Sequence, residues 1–177
     1  MEFFKTIVAI CLLRGRTQDL PASMQLVVLT AVASVVVNSM GMPGQNLSAA
    51  AILFIAVQAA LFGAVVWLLL RLRGFPARWL QTMTALYAVD TVFSLLLLPL
   101  LPALLEMLKQ GAQAQPGWEG FALLFLSGWM LLIIARVLRE ATEWPLPLAF
   151  LAGLTSLLAV RMLGHLLVPL FGLSAPV

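Results

Sequence analysis

Apolar positions along this chain gather into long, nearly unbroken runs, separated by short stretches rich in glycine, proline and charge. Five runs reach the roughly 20 residues a helix needs to cross a bilayer. They predict spans over 21–40, 47–70, 79–101, 120–138 and 146–170. Gly-Met-Pro-Gly-Gln-Asn (41–46) reads as a turn between the first two, and Gly74 and Pro76 break the chain before the third. Pro99 and Pro102 should kink or end the third span. The stretch from Leu105 to Trp118, with Gly111, Pro116 and Gly117, reads as the longest loop. Pro145 and Pro147 open the fifth span, where a missing backbone donor does little harm.

The first 19 residues form a separate segment ahead of the bundle at 20–177. Met1–Leu13 is apolar but too short to span, and it carries Glu2 and Lys5. It runs into Arg14-Gly15-Arg16 with no small-residue cleavage site, which argues against a signal peptide. Phe3, Phe4, Ile7, Ile10 and Cys11 share a helical face, so the segment is expected to lie in the membrane interface as an amphipathic helix.

Composition agrees. Of 177 residues, 63% are hydrophobic and 10% charged, and the mean hydropathy is +1.07. A soluble domain is nearer half apolar and a quarter charged. A globule this small keeps too much surface in water to hide such an excess, so lipid is the expected solvent. The fold class expected is an all-α polytopic membrane bundle.

Charge then sets orientation. The formal net charge of +3 is no nucleic-acid signal, because the arginines sit at the ends of apolar runs. Lys5, Arg14 and Arg16 flank the first span; Arg71, Arg73 and Arg78 lie between the second and third; Arg136 and Arg139 precede the fifth. The intervening loops carry only Lys109, beside Glu106 and Glu119. The alternation predicts a cytoplasmic N-terminus and a periplasmic C-terminus in a bacterial inner membrane. Trp67, Trp79 and Trp144 fall at the cytoplasmic boundary and Trp118 at the outer one, as interfacial aromatics do.

Five spans after a short leader, entered through Gly15-Arg16-Thr17-Gln18-Asp19-Leu20-Pro21-Ala22-Ser23, resemble bacterial members of the Yip-domain family. The resemblance covers the layout of most of the chain, and its local motif, Asp19-Leu20-Pro21, is also ordinary helix-entry chemistry. It implies a membrane-organising or adaptor role and supplies no catalytic residues.

Ionisable residues at membrane depth are costly and so carry functional weight. Asp90 is the deepest, about 16 Å along the third span at 1.5 Å per residue. Thr84, Tyr87, Thr91 and Ser94 recur around it at helical spacing and make one polar stripe that should face away from lipid. Arg161, about 22 Å along the fifth span, is the candidate partner, with its long stem covering the offset. His165 follows one turn later, and Gln58 in the second span can join either arrangement. Two readings stand: a buried pair holding two helices in register, or a proton or ligand path through Asp90, Arg161 and His165. A lone deep carboxylate favours the first.

Small residues mark close helix approach. Ala56, Ala60 and Ala64 repeat every four residues, with Ala59 and Gly63 beside them; Ala149 with Gly153 and Ala152 with Ser156 do so in the fifth span. Ser127-Gly128 and His165 outline an intramembrane hydrolase, but Phe125 stands where rhomboid-type motifs carry glycine. Glu140 and Glu143 read as solvated helix-end charges. One cysteine excludes an internal disulfide, and no pattern calls for a metal or other cofactor.

The function expected is a scaffold, adaptor or accessory subunit rather than an enzyme. Its expected partners are the lipid bilayer and another membrane subunit or a second copy, with no nucleic acid. A small transporter or channel using the Asp90 stripe is the alternative, and the hydrolase the second alternative.

Overall fold

The computed structural model describes residues 2–41, 48–110 and 117–167, without the side chains of 107, 108, 110 and 165. Every regular element among them is helical: α1 (Glu2–Cys11), α2 (Met24–Met40), α3 (Ala49–Leu72), α4 (Trp79–Leu97), α5 (Leu101–Gln110), α6 (Trp118–Thr142) and α7 (Leu146–Leu167). Four stretches are long and apolar enough to cross a membrane: α3, the continuous run Pro76–Glu106 built around α4, α6, and Leu146–Gly164 of α7. The chain is a helical membrane bundle.

The expected boundaries shift where capping decides them. The first predicted span shortens to the 17 residues of α2, because Pro21 and Ala22 lie outside the helix, ahead of its N-cap Ser23. At about 25 Å it is the short member of the set. Proline acts on the third span as expected: α4 tightens into a 3-10 turn at Leu98–Leu100 around Pro99. The chain then continues as α5 through Gln110, so Leu105–Gln110, expected in a loop, is helical. The predicted turn at 41–46 and the loop beyond Gln110 fall largely outside the described residues, as do positions 168–170 of the last span.

α6 runs one turn past its predicted end at 138, and the reason lies in its last four carbonyls. Glu143, in the left-handed conformation (φ 58°), donates its N–H to Arg139 O. Arg78 Nη1 donates to the carbonyls of Glu140 and Ala141 at 3.3 Å each, and Arg73 Nε to Thr142 O at 3.2 Å. All four are satisfied, and cations sit at the negative end of the helix dipole. Gly74 (φ 80°) gives the α3–α4 connection the turn that delivers both arginines.

α4 is the centre. Thr82 through Val89, together with Phe93, are buried, so it is covered on all sides. α2 packs along it most extensively, α6 lies on another side, and α1 and α3 complete the shell; α7 packs on α6 and α3. The outer surface is greasy throughout, with Val28, Leu29, Leu68, Phe121, Leu124, Phe125 and Leu158 all more than half exposed. Inverted burial of this kind suits hydrocarbon surroundings.

The small residues act selectively. Gly63 of α3 is buried, and a Cβ there would meet Tyr87 Oη at 3.0 Å; at Gly153 of α7 it would meet Ile134 Cγ2 at 3.1 Å. Ala149 and Ser156 are buried on the same face of α7. Ala60 and Ala64, by contrast, face outward, so Ala59 and Gly63 make the close approach on α3. Gly153→Val should therefore lower stability by about 1–3 kcal/mol through overpacking. Gly128→Ala, with open space around that position, should not. Thermal unfolding in mild detergent compares the two; equal losses would show that α6 and α7 do not meet at Gly153.

Candidate functional site

The polar stripe on α4 divides into three kinds of contact. Thr84 and Thr91 donate their hydroxyls to the carbonyls of Leu80 and Tyr87, four residues back in the same helix. They are internally satisfied and need no partner. Tyr87 and Trp79 reach α3: Tyr87 Oη donates to Ala59 O at 2.7 Å and Trp79 Nε1 to Gly63 O at 3.0 Å. Only at small residues is a helix carbonyl open enough for an aromatic tip to reach it from the side, which gives the Ala59–Gly63 pair its purpose.

Asp90 and Ser94 reach α2. Ser34 Oγ donates to Asp90 Oδ2 at 2.5 Å and Asn38 Nδ2 donates to the same oxygen at 2.8 Å. Asn38 Nδ2 also bonds Ser34 O at 2.9 Å, and Ser94 Oγ donates to Asn38 Oδ1 at 3.2 Å. Four side chains, two from each helix and each pair one turn apart, thus close a polar box in the middle of the bundle. Charge-assisted bonds to a carboxylate are among the stronger ones, and low-dielectric surroundings strengthen them further.

The expected partner is displaced. No ion pair joins Asp90 to Arg161 among the described residues. Arg161 lies on the exposed face of α7. The physical reason is depth: α2 and α4 run in the same direction, and Ser34 lies about 15 Å along α2 where Asp90 lies about 16 Å along α4. Gln58 turns away from the box, its amide packed against Gly164 of α7 where a Cβ would overlap it. The side chain of His165 lies outside the described residues. Ser127 sits on the outward face of α6.

A second polar layer holds the N-terminal segment at the arginine-rich end of the bundle. Glu140 Oε2 accepts from Thr17 N at 3.0 Å and Thr17 Oγ1 at 3.3 Å, while Arg136 Nε donates to its Oε1 at 3.3 Å. Gln81 Nε2 donates to Leu20 O at 2.7 Å. Glu140 is therefore a half-buried tie between segments, not the solvated charge expected; Glu143 is more exposed and pairs with Arg78 Nη2 at 2.7 Å. Trp129 Nε1 donates to Cys11 O at 2.9 Å and so satisfies a terminal carbonyl of α1. Burial pushes the Cys11 thiol up, which keeps it protonated and unreactive.

Among the described residues no cluster of three or more metal-ligating side chains forms. The cavity between α1, the Gly15–Thr17 turn and α6, lined by Ile10, Ile133, Arg136 and Glu140, is small and tight, and it does not touch Asp90.

Fold and polar box together define an integral helical membrane protein whose deepest charged group bonds two of its own helices. No protein-family model, characterised protein or solved structure matches the chain.

A double-mutant cycle tests the box. Asp90→Ala and Asn38→Ala should each destabilise the bundle, and their coupling should fall near 0.6–1.7 kcal/mol, roughly the range of interhelical bonds in membranes. The Asp90–Arg161 cycle should give a smaller coupling, since no contact is lost. A larger coupling to Arg161 would mean that the carboxylate pairs with α7 instead.

Proposed function

We propose that this protein is a scaffold, adaptor or accessory subunit of a membrane complex, seated in a bacterial inner membrane with its N-terminus cytoplasmic. The observation that carries this reading is the use of Asp90. A transport carboxylate must be free to exchange protons or ligand, whereas here both Asn38 and Ser34 bind one of its oxygens and Ser94 holds Asn38 in turn. The resemblance of the layout to Yip-domain proteins, which would imply a membrane-organising or adaptor role, supports it too. So does the broad outward apolar surface of α2 and α6, which offers other membrane helices ample contact.

The orientation rests on the arginines. Arg73 and Arg78 cap α6 at the same end at which Thr17 meets Glu140, so the three basic clusters of the sequence converge on one face of the bundle. By the positive-inside rule this convergence supports a cytoplasmic setting for that face.

A specific observation keeps the transporter reading alive: Arg161 lies on the exposed face of the membrane-length helix α7 without a hydrogen bond or ion pair among the described residues. The two readings differ in what Asp90→Asn does. In a scaffold, Asn keeps an acceptor for Ser34, so the bundle should stay folded and still co-purify with a stoichiometric membrane partner after cross-linking in cells. In a transporter the same substitution should abolish flux and leave no partner to lose. Reporter fusions at Gln113 and at the C-terminus should both report the periplasm. A cytoplasmic C-terminus would mean that the short α2 does not cross.

A further inference from the structure

α1 has two apolar faces. Ile7 and Ile10 are buried against the bundle, with Phe3 and Cys11 partly so. Phe4, expected on that same face, instead points away with Val8 and Leu12, four residues apart in each step and 75%, 56% and 53% exposed. Together with Ala9 these side chains line a shallow, wide-open groove of about 460 Å³ bordered by Lys5 and Arg14. The groove is thus an open apolar strip with Lys5 toward one end and Arg14 toward the other.

Its charge is one-sided. The nearby acid, Glu2, is engaged with Lys5 at 3.1 Å, and Arg14 is exposed with no hydrogen bond or ion pair among the described residues. Arg14 is held there by a backbone outlier. Leu13 adopts φ 59°, a left-handed conformation unfavourable for a bulky side chain, while Arg14 N and Gly15 N both bond Ala9 O, at 2.7 and 2.9 Å. A glycine would make this helix end without strain. The leucine is retained with its side chain packed against the core, and the turn folds Arg14 back alongside the trough.

The geometry points to an anionic phospholipid as the occupant: we propose that one acyl chain lies along Phe4, Val8 and Leu12 and the phosphate sits at Arg14, the cation of the pair that no acid engages. Charge complementarity selects the class, since a trough of this kind recognises an apolar chain carrying an anion. The surrounding leaflet supplies such molecules at high local concentration. The helix is also tied to the bundle, because Trp129 of α6 bonds Cys11 O at its C-terminal end and Glu140 holds Thr17 in the turn beyond it. The inference rests on the bundle lying in a membrane, not on the scaffold role, so failure to find a protein partner leaves it standing.

Native mass spectrometry of the full chain, extracted from bilayers of equal parts phosphatidylglycerol and phosphatidylcholine, provides the test. The wild type should retain phosphatidylglycerol in preference, on the order of fivefold for each cation engaged. Arg14→Gln should remove that preference, and Val8→Ser should reduce retention of both lipids. Arg139→Gln removes another exposed cation at the same end of the bundle and should leave retention unchanged. All three positions are exposed, and gel filtration confirms that each variant folds; Val8→Ser decides alone should Arg14→Gln fail to. Equal retention of the two lipids overturns the proposal, as does an Arg139→Gln effect as large as that of Arg14→Gln. So does a wild type that carries no lipid but holds a protein on α1.

Discussion

In hydrocarbon no water is available to complete a hydrogen bond, and α4 is the helix on which this constraint falls hardest. It carries a carboxylate, three threonines, a serine and a tyrosine within its apolar length, and each finds a partner inside the protein. The arrangement of the other helices follows. α2 lies beside α4 because it alone brings Ser34 and Asn38 to the depth of Asp90. α3 approaches where Ala59 and Gly63 expose carbonyls to Tyr87 and Trp79. With polar groups turned to both α2 and α3 and small residues such as Ala85 and Ala88 buried between them, α4 takes the central place.

The two ends of the bundle are managed differently from its middle. At the basic end, arginines of the α3–α4 connection replace water as donors to the last turn of α6, and Glu140 holds the N-terminal segment by its backbone. Arg71 over Trp67 and Arg73 over Trp144, 5.0 and 5.7 Å from the ring centres, extend the same theme, since guanidinium groups on aromatic faces tolerate partial desolvation. These residues close the helix ends at the arginine-rich face of the bundle. Losing Arg78 would expose two carbonyls of α6 at once.

Much of the candidate site was legible in the chain. The stripe around Asp90 was visible from spacing alone, and so was its need for an internal partner. The partner was chosen by charge, which selected Arg161, when depth was the better guide. Ser34 and Asn38 stand one turn apart in a largely apolar run, and counting residues from the helix start places Ser34 level with Asp90 and Asn38 one turn further on, toward Ser94, while Arg161 is offset by about 6 Å on another helix. A carboxylate among neutral donors satisfies its bonding without the desolvation of a second ion, which buried ion pairs must overcome. Glu140 was misread for a related reason: an isolated glutamate near a helix end is ordinarily solvated, and nothing local announces that Thr17, distant in sequence, will fold back onto it.

What the sequence determined by itself is the class of solvent, and with it the fold class. Long apolar runs leave only helices in lipid, because the helix is the one open chain that bonds its own backbone. Proline at 99 and glycine at 74 and 153 likewise act where their local chemistry requires. Which helices touch was decided only in three dimensions. All the spans are nearly equal in hydrophobicity, so no pattern of burial distinguishes a neighbour from lipid, and the two faces of α1 look alike along the chain. Their difference lies in whether α4 and α6 or the open leaflet stands opposite, and that depends on where the connecting turn at Leu13–Thr17 sets the helix down.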